Sequence, residues 1–249
     1  MASDASTQRP LRVVVTGAAS GIGLAVAERI LTDGGRVAAL DIVPEAPAGL
    51  DAPYVAVDVR DADAVRAAVD GAARQLGGLD AVACCAAIAI RGTVETASLD
   101  DWRDQFDVNV LGTVTVVRAA IPHLRGAGGG AIVTIGSNLG VVAQPNLSAY
   151  CATKGAILSL TQSMAIDLTA DGIRVNSVSP GPTRTPMLTN TLATSTDPET
   201  ATRDAVATQL HGRLVEPEEV AAAVVWLLGS GNRSILGANL AVDGGYTVR

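Results

Sequence analysis

A β-branched run at 11–16 passes directly into Gly17-Ala-Ala-Ser-Gly21-Ile-Gly23, and that into helical spacing over 24–33. No other stretch restricts the fold as much. Closely spaced glycines let the chain turn sharply from strand to helix while leaving backbone N–H groups free to face an anion. Ala25, Val26, Ile30 and Leu31 give the helix an apolar side, and Gly34-Gly35 stops it. A second apolar run, 36–41, ends on a carboxylate, Asp41. Strand, glycine turn, helix and strand make one right-handed crossover between parallel strands.

The alternation continues to the end of the chain. Short apolar runs at 54–57, 79–85, 131–136, 174–179 and 239–242 read as further strands. Asp61 caps a helix to about 76, Ser98 one over 99–124, and further helices are expected over 147–170 and 217–228. The strand runs are continuously apolar rather than alternating, as expected when both sheet faces are covered. The expected architecture is α/β: a doubly wound, seven-stranded parallel sheet with helices on both faces, one domain over 11–249. Hydrophobic residues are 48% of the chain but aromatics only 2%, so its core is Ala, Val, Leu and Ile. Residues 1–10 are polar and read as a flexible tail, not a signal peptide. The polar, Thr-rich stretch 180–212 reads as a long loop acting as a substrate lid.

A net charge of −7 without a basic cluster excludes nucleic acid and anionic membrane surfaces as partners. No apolar run reaches the roughly 18 residues of a membrane span. The three cysteines, with Cys84 and Cys85 adjacent, form neither a disulfide framework nor a CxxC motif, which fits a reduced, cytoplasmic setting. His123 and His211 have no ligands at metal spacing; His123 is expected to cap its helix, and His211 lies in the lid stretch within possible reach of substrate.

Tyr150-x-x-x-Lys154 places a phenol and an ammonium on one helix face. Lys154 is the only lysine in the chain; every other basic side chain is arginine. A nearby cation favours phenolate and lowers a tyrosine pKa from about 10. A compact ammonium can touch both a sugar hydroxyl and a phenol, which a planar guanidinium does poorly. Asp41, closing the second strand, can accept from the ribose hydroxyls of an adenosine and would repel a 2′-phosphate, so NAD(H) is expected over NADP(H). Asp58 either accepts from the adenine amino group or is a capping or solvated acid.

Taken with Thr16-Gly17-x-x-x-Gly21-Ile22-Gly23, Asp58, Asn109-Val-x-Gly112, Ser137, Pro180-Gly181 and Val242-Asp243-Gly244-Gly245, these residues make the chain resemble a short-chain dehydrogenase/reductase of the single-domain type of about 250 residues. The resemblance runs from Leu11 to Tyr246 and implies a Rossmann fold. It implies that Tyr150 is the acid/base, Ser137 polarises the substrate oxygen, Lys154 bonds the nicotinamide ribose and lowers the Tyr150 pKa, and Asn109 holds a water in a proton relay. The implied contacts to NAD run through Gly17, Ser20, Gly21, Ile22 and Gly23, then Asp41, Asp58, Val59 and Ala86, then Tyr150 and Lys154, and finally Pro180, Gly181, Thr183 and Thr185. One departure stands out: Cys84-Cys85-Ala86-Ala87 replaces the family's Asn-Asn-Ala-Gly after the fourth strand.

The reaction expected is hydride transfer between NAD(H) and a secondary alcohol or ketone. The alternatives are a 3-oxoacyl-carrier-protein reductase and, from a different class, a dinucleotide-binding sensor without catalysis. Asn138, Leu139, Gln144, Met187 and Leu188, with Pro182 and Leu192 beside them, are the expected substrate wall. Their chemistry suits a polyfunctional or cyclic secondary alcohol. Leu111, Val114, Val117 and Ile121, with Leu158, Leu160, Ala165 and Leu168, are expected to leave the two long helices apolar on more than one side. The resemblance implies that they meet in a homodimer or homotetramer.

Overall fold

A computed structural model describes residues 9–248, so most of the tail expected at 1–10 lies outside the described residues. Arg9 and Pro10 are described, and Arg9 pairs with Asp80.

Seven parallel strands form one sheet: β1 (Arg12–Thr16), β2 (Arg36–Asp41), β3 (Tyr54–Ala56), β4 (Ala81–Cys84), β5 (Gly130–Ile135), β6 (Ile173–Pro180) and β7 (Asn239–Val242), in the order β3-β2-β1-β4-β5-β6-β7. The continuous valine run in β1 has a direct cause. Side chains alternate between sheet faces, and here both faces are cores. Val13 and Val15 pack beneath α1 (Gly21–Thr32) and α8 (Pro217–Leu228). Val14 packs beneath α2 (Ala62–Leu76), among the apolar residues of the opposite face. All three valines are 0% exposed. Burying each one contributes roughly 1.5–3 kcal/mol.

Winding reverses between β1 and β4, which are hydrogen-bonded neighbours. That switch leaves a crevice beyond the carboxyl ends of the strands, where ligands bind in sheets of this kind. Asp61 caps α2 as expected, its carboxylate accepting from Asp63 and Ala64 N–H.

Four local readings need correction. The helix expected over 99–124 is α3 (Leu99–Phe106) and α4 (Gly112–Gly126) joined by a π-helical turn, Asp107–Leu111. The stretch 180–212 is not a plain loop: it carries α6 (Pro186–Ala193) and α7 (Pro198–Ala207). Threonine is a weak helix former, which hid them. Their caps were nevertheless in the sequence: Thr185 accepts from Leu188 N–H, Asp197 from Thr200 N–H, and each helix has proline in its first turn. His123 does not cap α4. Its Nε2 lies 2.6 Å from Asp70 on α2 and ties the two helices. Finally, Val117 on α4 and Ala165 and Leu168 on α5 (Ser148–Leu168) are core residues rather than outer-face ones, because each helix packs one side against the sheet. Leu111 on the π turn and Ile166 on α5 are the strongly exposed apolar residues there, at 55% and 76%.

Candidate active site

The glycine turn is shaped by close backbone approach. Gly17 sits at φ +65°, and a Cβ there would lie 2.8 Å from the Ala86 backbone nitrogen. Any other residue would have to push β4 away from β1. The Thr16 hydroxyl reinforces the approach by accepting from Cys85 and Ala86 N–H at 3.1 and 3.2 Å. The Cys84-Cys85-Ala86-Ala87 departure is therefore a change of side chains on a tethered backbone, with Ala86 and Ala87 both at the cavity wall. Burial pushes the Cys84 thiol up to about 12 and raises Cys85 as well, so neither is a ready thiolate.

A cavity of about 840 Å³ runs over this turn and along the carboxyl ends of the strands. Gly17, Ser20, Gly21, Ile22 and Gly23 line it at one end, beside Asp41, Asp58, Val59 and Ala86. Asp41 is oriented by two backbone donors, Ala19 N–H at 2.9 Å and Val43 N–H at 3.1 Å. Asp58 does not cap a helix. The Arg60 guanidinium grips it, with Nη2–Oδ2 at 2.7 Å, and holds the carboxyl below the usual range. Arg60 reaches Asp104 as well. Pro180, Gly181, Thr183 and Thr185 line the cavity further along.

Ser137, Tyr150 and Lys154 meet at its middle. Ser137 follows β5, and its hydroxyl accepts from Leu139 N–H at 3.0 Å. Tyr150 lies in the first turn of α5, and Lys154 one turn on places its ammonium 5.5 Å from the centre of the phenol ring. The Lys154 ammonium donates to the Ile135 carbonyl at 2.8 Å and is 2% exposed. Burial pulls its pKa down to about 8, with Cys85 opposing the shift. Burial pushes Tyr150 up to about 12, against the pull of the Ser137 hydroxyl. In the free protein, removing the phenolate from water dominates over the Ser137 hydroxyl, the group that favours the charged form.

Asn109 is buried and does not line the cavity. Its amide oxygen accepts from Ile88 N–H at 2.8 Å; its nitrogen donates to the Ile88 carbonyl and the Thr153 hydroxyl. The π turn aims that side chain, clamping the loop after β4 to the residue before Lys154. Asn138, Leu139, Gln144, Met187 and Leu188 all line the cavity, as do Pro182 and Leu192. His211 does not; its Nδ1 faces Arg213 N–H. Sequence reasoning missed Arg91, Tyr246, Asp197 and Asp204, which also line it. Nothing in their spacing signalled this, because a loop, α7 with its cap and the chain's last turn bring them in.

Comparison with known proteins decides the family. A family model described as Enoyl-(Acyl carrier protein) reductase matches residues 17–247. The chain belongs to the short-chain dehydrogenase/reductase family. Cis-4-hydroxycyclohexanecarboxylate dehydrogenase of Sinomonas cyclohexanicum is 39% identical, over 94% of this chain and 95% of that protein. D-threitol dehydrogenase of Mycolicibacterium smegmatis is 36% identical, over 95% and 92%. Among solved structures, ligand-free aldohexose dehydrogenase of Thermoplasma acidophilum superposes with a TM-score of 0.90, at 31% identity, over 97% of this chain and 95% of that one. ElxO with NADP bound superposes at 0.87, with 25% identity, over 97% and 100%. This short-chain dehydrogenase/reductase is an oxidoreductase with the family's nicotinamide dinucleotide chemistry. Among its described residues no helix is long and apolar enough to cross a membrane.

Proposed function

We propose that the protein oxidises a cyclic or polyfunctional secondary alcohol to the ketone, or runs the reverse, with NAD(H). The observation that carries this is one cavity joining the glycine turn to Ser137, Tyr150 and Lys154. The turn fits a dinucleotide: Gly17 removes the Cβ that would separate β1 from Ala86, and α1 opens with its N-terminus at the cavity. NAD, when bound, supplies the hydride acceptor. The protein's own residues hold and protonate. Asp41, oriented by Ala19 and Val43 N–H, accepts from ribose hydroxyls and repels a 2′-phosphate. Arg60 is engaged by Asp58 and Asp104 and offers no free fork to such a phosphate. Those two points favour NAD over the NADP held by the ElxO structure.

Ser137 donates to the reacting oxygen, where charge builds during reduction; one such donor typically lowers the barrier by a few kcal/mol. Tyr150 takes the hydroxyl proton in oxidation and returns it in reduction. Its raised pKa keeps it protonated at neutral pH, suited to donating in reduction. Lys154 bonds the nicotinamide ribose and faces the phenol. Asn109 orients both walls of the site, and its relay role would fall to a water at the Lys154 ammonium.

The family model's description keeps a carrier-protein substrate in view, and 3-oxoacyl-carrier-protein reductase is the second reading. It lacks a docking patch: Arg125 is paired with Asp171, leaving Arg118 alone. A non-catalytic sensor is opposed by the complete Ser137, Tyr150 and Lys154 set. Leu111 and Ile166 support a homodimer or homotetramer built on α4 and α5, and the free thiols favour the cytoplasm. The deciding experiment is a panel of cyclic and linear secondary alcohols followed by NADH absorbance. Turnover of ring alcohols with NAD supports the reading; turnover of 3-oxoacyl thioesters alone overturns it.

A further inference from the structure

Among the described residues, Arg74, Arg91, Arg118 and Arg233 have no hydrogen-bond or ion-pair partner. Three of these are exposed, where solvent satisfies a guanidinium. Arg91 is half-buried, and it alone of the set lines the cavity. A partly desolvated cation without a counter-charge is costly, so its place calls for an anion that arrives with a ligand.

The loop carrying Arg91 is stitched to the segment that leads into the catalytic tyrosine. Gly92 N–H donates to the Asn146 carbonyl at 2.8 Å, and Ser148 N–H donates to the Gly92 carbonyl at 3.2 Å. Tyr150 follows two residues later. The loop that carries Arg91 is thereby fixed beside the segment entering α5, away from the glycine turn in the chain. A second group points the same way. Asn138, 4% exposed and also at the cavity wall, has a buried amide nitrogen with no hydrogen-bond partner. Its amide oxygen already accepts from the Ser137 hydroxyl at 3.1 Å, so the free nitrogen lies one residue from the group that polarises the reacting oxygen. Two unmatched donors therefore belong to residues of one cavity wall. None of the cavity's own acids pairs with Arg91: Asp58 and Asp104 are drawn to Arg60, Asp41 accepts from Ala19 and Val43 N–H, and Asp197 and Asp204 are exposed on α7 and its cap.

We propose that Arg91 is the anion-reading residue of the substrate site, that Asn138 donates to a second substrate oxygen, and that the substrate is a small carboxylate-bearing secondary alcohol. Arg91 is a specificity residue rather than a catalytic one. The fork of a guanidinium matches a carboxylate in two parallel hydrogen bonds. This rests on the dehydrogenase reading above, so its test is made independent of turnover.

Cyclohexanecarboxylate and its neutral counterpart cyclohexylmethanol are titrated calorimetrically into the NADH-loaded protein, with the wild type, Arg91→Leu, Arg91→Lys and Asn138→Ala compared. The wild type is expected to prefer the carboxylate by roughly ten- to hundredfold. Arg91→Leu abolishes that preference, Arg91→Lys keeps part of it, and NADH affinity stays within twofold in all four proteins. Equal binding of the two probes by the wild type, no binding of either, or a preference that survives Arg91→Leu overturns the proposal. A loss of NADH affinity matching the loss of carboxylate binding also overturns it, placing Arg91 on the cofactor diphosphate instead. Turnover of hydroxycyclohexanecarboxylates is measured separately: if it is absent while the binding preference holds, the dehydrogenase reading fails and the anion site stands.

Discussion

At the β1–α1 end of the cavity the wall is backbone; at the α5–α6 end it is side chain. The first end is shaped by the Gly17–Ala86 approach and by Thr16 accepting from two consecutive N–H groups. It suits a ligand part common to every substrate, and its shape tolerates almost no substitution. The second end is made of Arg91, Asn138, Gln144, Met187 and Leu188, contributed by loops, a 3₁₀ turn and α6. Its side chains can be exchanged without moving the sheet. Tyr150 and Lys154 lie between, buried enough that both pKa values move toward the neutral form. Generic binding is written in main-chain geometry, and specificity in side chains carried by replaceable segments.

The largest effect should come from the junction of the two ends. Tyr150→Phe removes the phenol proposed to move the hydroxyl proton, and kcat should fall by roughly 10²–10⁴. NADH affinity, measured by fluorescence quenching, should hardly move; turnover near wild type would remove Tyr150 from the mechanism. Gly17→Ala tests the backbone end. Strain at φ +65° together with the clash against Ala86 should cost about 2–3 kcal/mol in urea unfolding and weaken NADH binding with it. If that variant is as stable and binds as well as wild type, the contrast between the two ends collapses.

Asp41→Ala leaves the fold intact and should raise the NADP/NAD ratio of kcat/KM by roughly tenfold or more; an unmoved ratio would assign cofactor choice elsewhere. Lys154→Met should abolish activity yet stabilise the protein by about 1–2 kcal/mol at pH 7, since it removes a desolvated charge at the loss of one hydrogen bond to Ile135. The sign follows from proton uptake. Lys154 falls from 10.5 unfolded to about 8 folded, so between those values the unfolded chain binds more protons and this group's contribution to stability rises with pH. Tyr150 works oppositely: raised from 10.0 to about 12, it loses stability as pH climbs through that interval. The stability difference between Lys154→Met and wild type should therefore shrink from pH 8 to 10.5, and a constant difference would refute the buried-charge account. The smallest effect belongs to α7. Asp197→Ala, which uncaps α7, should cost about 1 kcal/mol and change KM more than NADH affinity.

How much of this could be read in advance differs along the same division. The glycine turn, Asp41, the caps at Asp61 and Ser98, and the Tyr-Lys spacing are local: each depends on residues within a few positions, so the linear pattern carries it. The seven strands were legible for a similar reason, since a strand buried on both faces must be apolar throughout. Arg91 was not legible, because its meaning comes from what it fails to meet. The lid helices escaped because threonine-rich composition argues against helix, while proline and two side-chain caps decide locally in its favour. The His123–Asp70 contact joins helices 53 residues apart, and no spacing rule spans that distance.

By itself, then, the sequence determined the doubly wound sheet and the family, and it marked the glycine turn and the Tyr150–Lys154 pair that the fold brings to one cavity. Short-range sterics and periodic burial are properties of a chain read in order. Only the tertiary structure decided that burial dominates at Tyr150, that Asn109 is a clamp, and that Arg91 lines the cavity without a partner. Desolvation and pairing depend on what surrounds a group from every side, and only the folded chain supplies those surroundings.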